Sequence, residues 1–392
     1  MNVRPAQAPF RATQKPAPAT DPASLYAYFL QQQEGHDADH LAFLDRGIEQ
    51  SYLKAHLPLY SARLGSLRPS ERAEVSPPFP KVGQLPALPD QGLEFLHPQV
   101  SHACLAIGDW ESGRLATRWL GRKALESAQL WSATKVFPML RTCVQAGSQA
   151  PLAQASIQDG QGAVSLPLQQ VFDSIVSYRE GTQTSNAHAR MLKHFDTPWA
   201  SQNWLHSSTG NRQSEFQGGY GHAATIAQPL LVDEQGTPLL QASGSEHKGR
   251  NLVSVYDLCR TMAQLGWDAH LPTESKLEGV RSGLPMVQKA LGQDSARFLE
   301  AAWEALDLDG RIENPVVLSK MGFGLSDERG QWEEVYAAFV QFGDRQTGRQ
   351  HQFSLALKVA QKPQGDRTPQ ELDAMVATQI ALVVQKIVGG EV

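Results

Sequence analysis

The segment Trp131-Ser132-Ala133-Thr134-Lys135-Val136-Phe137-Pro138 carries a hydroxyl and an amine three residues apart, at the start of a helix-patterned stretch. On a helix, residues so spaced share a face. A serine hydroxyl is a poor nucleophile until a neighbour removes its proton. A lysine amine does that where burial and nearby positive charge bring its pKa down toward neutrality. Backbone N–H groups at a helix start add donors for an oxyanion. Ser132 and Lys135 therefore read as nucleophile and base, set against the bland alternative of a serine helix cap followed by a surface lysine.

Two further segments offer complementary groups. In Val316-Val317-Leu318-Ser319-Lys320-Met321-Gly322-Phe323-Gly324 an apolar strand ends in a lysine, with a glycine two residues on. That places the Lys320 ammonium at a strand edge where a ligand carboxylate can sit. It leaves the backbone beside Gly322 open to close approach, with the Phe323 N–H as a second oxyanion donor. Thr184-Ser185-Asn186 sets hydroxyls and a carboxamide just before the helix-patterned run Ala187-His188-Ala189-Arg190-Met191-Leu192. At a loop-to-helix junction these groups can relay a proton and hold the lysine, or cap the helix, or do both.

The elements that must position these groups follow from periodicity. Residues 1–20 read as a disordered tail, rich in proline and polar residues and without period. Asp21 caps a helix with Pro22 at its first position, and a second helical stretch is expected over 37–64. Residues 66–91 are dense in proline and read as a linker or a strap over a surface. The segment 21–92 is thus an N-terminal extension, with the main domain over 93–392. Strands are expected over 100–107 and 114–120, then 316–320, 333–342 and 352–359. Helices are expected over 132–146, 166–178, 187–195, 254–265, 283–291 and 295–306, with a long polar loop over 197–221. An amphipathic helix over 368–387 follows the last strand. A front hairpin and three back strands can form one antiparallel sheet, so the class is α+β: a five-stranded antiparallel sheet flanked by helices, with a mostly helical subdomain.

The order of the three segments, and the elements that carry them, resembles the class A β-lactamase and penicillin-binding-protein superfamily, whose motifs are S-x-x-K, S-D-N and K-T-G. The resemblance covers roughly 95–392. It implies a serine hydrolase that opens an amide or ester, β-lactam-like or D-alanyl-like, through a Ser132 acyl-enzyme and without a cofactor. In this pattern Lys135 is the base, directly or through water. Thr184 or Ser185 passes the proton to the leaving atom and Asn186 positions. Lys320 binds a substrate carboxylate, and the Ser132 and Phe323 amides bind the oxyanion. Two motifs depart from the pattern: S-D-N becomes Thr184-Ser185-Asn186 (or Ser185-Asn186-Ala187), and K-T-G becomes Lys320-Met321-Gly322. Class A enzymes also use a loop glutamate for deacylation, for which Glu215 is the candidate here. The altered motifs equally suit a catalytically silent relative that binds a ligand or partner in the same cleft.

Composition narrows the classes further. The 392 residues are 41% hydrophobic and 19% charged with a formal net charge of -5, an ordinary balance for a folded protein. No basic stretch is interleaved with aromatics, so nucleic acid is not an expected partner. A small-molecule or peptide substrate is. Cys104, Cys143 and Cys259 form no C-x-x-C pair. His36 and His40 have a metal-like spacing but no third ligand. No run of about 18 consecutive apolar residues suggests a membrane span, and no secretory signal is visible at the N-terminus. Compartment and oligomeric state stay open.

Overall fold

Ser112 and Gly113 both take positive φ, 48° and 79°, the conformation that turns a two-residue hairpin with the twist of its strands. They join β1 (Val100–Glu111) to β2 (Arg114–Arg122). The chain returns to the same sheet much later with β3 (Ile312–Ser326), β4 (Gln331–Asp344) and β5 (Gln350–Gln361). The strand order is β3-β4-β5-β1-β2, antiparallel throughout. This is the five-stranded sheet expected from the sequence. The computed structural model describes residues 21–71 and 76–392; the tail assigned to 1–20 lies outside the described residues.

Both faces of the sheet are covered, so its strands are apolar on both sides. On β1, Cys104 and Ala106 enter one core while Ala103, Leu105 and Ile107 enter the other. The helices in chain order are α1 (Pro22–Gln32), α2 (Tyr60–Ser66), α3 (Val136–Ala146), α4 (Leu168–Ser177) and α5 (Gly181–Lys193). They continue with α6 (Pro198–Thr209), α7 (Val255–Trp267), α8 (Leu284–Leu291), α9 (Phe298–Ala305) and α10 (Thr368–Gly389). The first core joins the sheet to α7 and the helical region of α3, α4 and α5. The second joins it to α9, α10 and the N-terminal extension. By length and composition α10 is apolar enough to cross a bilayer, but 78% of that stretch is buried inside the protein.

Three expectations need correction. The stretch 37–64 is not one helix: it consists of turns, short 3-10 segments at Ile48–Gln50 and Tyr52–Leu59, and then α2. The backbone amides of Phe43 and Leu44 donate to the Asp373 carboxylate at 3.0 and 3.1 Å instead of closing helical turns, and Gly47 sits at φ 70°. The segment 197–221 is not one loop, because α6 occupies its first half. Thr197 caps that helix by accepting from Ala200 N at 3.1 Å, Pro198 opens it, and Gly210 at φ 82° closes it. Finally, α5 starts at Gly181, so Thr184-Ser185-Asn186 lies inside a helix and not at its mouth.

Residues 76–91 of the proline-rich segment form a strap. Pro77 O accepts from Thr117 N at 2.7 Å and Pro89 O from Gly121 N at 2.9 Å, which pairs part of the outer edge of β2. The buried Arg260 side chain of α7 pins it from below, donating to the Lys81 and Gln84 carbonyls, each at 2.6 Å.

Candidate active site

The turn that carries Ser132 is a short 3-10 segment, Trp131–Lys135, leading into α3. Trp131 holds φ 50°, a left-handed conformation that is costly for a bulky residue and has to be held by its surroundings. Ser132 is half-buried, while Ala133, Thr134 and Lys135 are buried. Strand β3 runs directly against this turn. A Cβ on Gly322 would lie 2.6 Å from Leu130 O and 3.0 Å from Ser132 N. Only glycine allows that approach, and it brings the Lys320 strand to the S-x-x-K turn.

The side chains in direct contact with Lys135 Nζ are neutral. Its Nζ donates to Ser185 Oγ at 2.8 Å and lies 5.1 Å from the centre of the Tyr178 ring and 5.9 Å from that of Tyr220. No carboxylate pairs with it among the described residues. Burial, with the Lys320 charge adding to it, pushes its pKa well below the usual lysine range. The Ser185 hydroxyl in turn donates to Ile175 O at 2.8 Å.

Lys320 is fully buried and does not line the open cleft. Its Nζ donates to Tyr178 Oη at 2.9 Å and to Met321 O at 3.1 Å, and lies 3.8 Å from Asp294 Oδ1. Its ammonium thus faces a phenol and a carboxylate within the protein. Tyr178 is the residue that the sequence reading missed. It follows α4 with φ 53°, just ahead of α5, and its ring lies near both amines. The only sequence signal was an aromatic residue at a helix end three positions before a glycine, and at helical spacing such a residue reads as core.

The other candidates are placed as follows. Thr184 Oγ1 turns back to donate to Glu180 O at 3.0 Å, away from Lys135. Asn186 lines the cleft and pairs with His222 Nδ1 at 3.0 Å. Phe323 lines the cleft too. Glu215 does not: its carboxylate accepts from the Arg250 backbone at 3.1 Å and from its guanidinium at 3.2 Å. The loop that follows Glu215 instead brings Tyr220, whose hydroxyl lies 3.1 Å from Thr134 Oγ1. Lys193 underpins that loop from α5. It bonds Gly218 O and, at 3.0 Å, Asn251 Oδ1, and lies 3.7 Å from the centre of the Phe216 ring. Burial lowers its pKa to about 7.

These groups border an open cleft of about 690 Å³, with Trp131, Ser132, Asn186, Tyr220 and Phe323 on its walls. Arg250, Arg329 and Lys358 line it as well, Lys358 as a buried side chain. Chemically, the arrangement offers a hydroxyl on a turn with a left-handed residue before it, a buried amine three residues on whose pKa is held low, and a phenol held by a second amine. No group of His, Cys, Asp and Glu among the described residues is arranged to hold a metal ion.

No family model matches the chain, and no curated protein does. Solved structures do. The chain is similar to a class A beta-lactamase from Bacteroides cellulosilyticus, at 11% identity over 76% of this chain and 99% of that one, with TM-score 0.43. A beta-lactamase from Chitinophaga pinensis gives 13% identity, 73% and 94% coverage and 0.43. An acyl-enzyme complex of a point mutant of PBP-A with penicillin G gives 13%, 77%, 99% and 0.43. Likenesses this slight carry no weight for activity, and the architecture stands on its own strand order.

Proposed function

We propose that the chain is a serine hydrolase that opens an ester or amide through an acyl-enzyme on Ser132. The observation that carries this reading is Lys135: a buried amine without a carboxylate partner among the described residues, three residues after Ser132, held by Ser185. A lysine so placed favours its neutral form and can accept a proton at ordinary pH.

Ser132 Oγ attacks the acyl carbon while its proton passes to Lys135 Nζ. The oxyanion forms beside the Ser132 and Phe323 amides, where Gly322 lets β3 close on the turn. The carbon–nitrogen or carbon–oxygen bond breaks as the leaving atom takes a proton from Tyr178, which recovers one through the lysine pair. Water then attacks the acyl carbon and gives its proton to Lys135, which passes it to Ser132 Oγ as the acyl–oxygen bond breaks, so that Ser132 and Lys135 both return to their starting states. Ser185 holds the base instead of shuttling the proton, since its own hydrogen is committed to Ile175 O. Glu215, tied to Arg250, takes no part, and Asn186 borders the acyl group. Lys320 holds Tyr178 in place, so the substrate needs no carboxylate to be gripped there. Small esters and amides, including β-lactams and D-alanyl peptides, are the substrate class.

The test is intact-protein mass spectrometry after exposure to a fluorophosphonate and to penicillin G. The native protein is expected to gain one adduct with at least the fluorophosphonate, and Ser132→Ala none. Absence of any adduct on the native protein, as for a cleft that only binds, would sink the reading, as would an adduct that persists in S132A.

A further inference from the structure

Trp131, directly before the nucleophile, is held from a second strand. Its indole Nε1–H donates to Glu333 Oε2 at 3.0 Å. Its six-membered ring lies over Gly324, where a Cβ would come within 2.6 to 2.8 Å of ring atoms. Gly324 and Glu333 are cross-strand partners on β3 and β4, so they share one face of the sheet. The indole fills the space that a side chain on Gly324 would take, and it ends on the residue opposite. Glu333 is itself fixed. It is fully buried and accepts from Arg329 Nε at 2.6 Å, Gln331 at 2.9 Å and Lys358 at 2.9 Å. Burial alone would raise its pKa, but these donors outweigh burial and bring it down to about 2, so it stays ionised across the working range.

We propose that Glu333 is a positioning residue for the Ser132 turn: through the Trp131 indole it holds the left-handed backbone that presents Ser132 Oγ and the Ser132 amide to the cleft. A carboxylate with four donors, anchored on a central strand, is a rigid post. The indole transmits that rigidity to a backbone that would otherwise relax from φ 50°. Arg329 and Lys358, which both line the cleft, are tied to the same post, which couples that part of the wall to the nucleophile. The inference rests on the acyl-enzyme reading for its kinetic part, but its structural part can be read independently.

The experiment compares the native protein with Glu333→Gln, Trp131→Phe and the double variant, in p-nitrophenyl ester turnover and in indole and amide nitrogen NMR. Each single change is expected to lower kcat about tenfold with KM within about twofold, because misplacing a nucleophile costs rate more than binding. The double variant is expected to be no slower than the slower single one. In E333Q the Trp131 indole N–H resonance, assigned by its loss in W131F, is expected to move upfield, and the Ser132 amide resonance to move with it. Additive losses, an unchanged kcat in W131F, or a Ser132 amide that does not move would overturn the proposal. If E333Q does not fold, W131F alone decides, since it leaves the contacts of Glu333 with Arg329 and Lys358 intact. Should the native protein turn over no ester while both resonances move as expected, the hydrolase reading fails and the positioning stands.

Discussion

Lys135 and Lys320 share one neighbour, Tyr178, and that sharing sets how the site responds to pH. The Lys320 charge helps to hold the Lys135 pKa down, so the neutral, proton-accepting form appears as pH rises through that lowered value. Replacing Lys320 with Met removes the repulsion. The acidic limb of kcat/KM should then move to higher pH by on the order of one unit, and a limb that moves to lower pH would contradict the assignment. Tyr178→Phe keeps the ring beside both amines and removes only the hydroxyl. Ester turnover should fall by about 10²-fold, the size of a lost proton donor, with the limb where it was. Ser132 and Lys135 could be singled out in the sequence because their spacing falls on a helix start, whereas Lys320 was read as a strand end although β3 runs on to Ser326 and buries it mid-strand. Tyr178 was not singled out, because nothing local marks an aromatic residue as part of a site. Thr184 and Ser185 were ambiguous for a geometric reason. Adjacent residues on a helix face different ways, and only the start of α5 at Gly181 decides that Ser185, not Thr184, turns toward Lys135.

At the scale of elements, the site depends on β3 lying flush with the nucleophile turn. Gly322→Ala would drive a methyl into Leu130 O and Ser132 N, both backbone atoms that cannot swing aside. The expected outcome is a loss of about 1–3 kcal/mol in urea unfolding and a larger fractional loss of acylation rate, as the turn is pushed off the strand. An alanine tolerated in both measurements would show that the two elements are less closely seated than described. The strands were legible because apolar runs punctuated by glycines are local signals, and the turn segment 109–113 announces its hairpin. Helix α6 carried its signals too, Thr197-Pro198 before it and Gly210 after it, but a polar composition hid them. The stretch 37–64 was not legible at all. What diverts it from a helix is the Asp373 carboxylate, 330 residues beyond Phe43 along the chain.

That carboxylate also governs the molecule as a whole. Asp373 on α10 and Glu334 on β4 are both buried, and Asp45 of the extension faces them. Burial, and for Glu334 the adjacent Asp373 and Asp45 carboxyls, raise both pKa values, that of Asp373 to about 7. The folded protein therefore keeps protons that an unfolded chain would release. The contribution of Asp373 to stability is full below the ordinary aspartate value near 3.8 and is lost as pH rises through about 7, and Glu334, raised from its own ordinary value, acts in the same direction. Glu334→Gln removes one of the acids, so it should flatten the dependence of Tm on pH between 5 and 8 and raise Tm at pH 8. A variant with the native slope would refute the coupling. Asp373 further accepts from Gln33 at 2.5 Å, and thus gathers the front of the chain onto its last helix. The same interlock appears in the sheet, where β1 pairs with β5. The order of synthesis then matters. Until residues 350–373 have been made, the Phe43 and Leu44 amides lack the acceptor they have in the finished fold and β1 lacks one neighbour, so the nascent polypeptide carries apolar surface of these segments through most of its translation. Its yield in a cell should accordingly hinge on chaperone supply more than on the strength of any one contact in the finished fold.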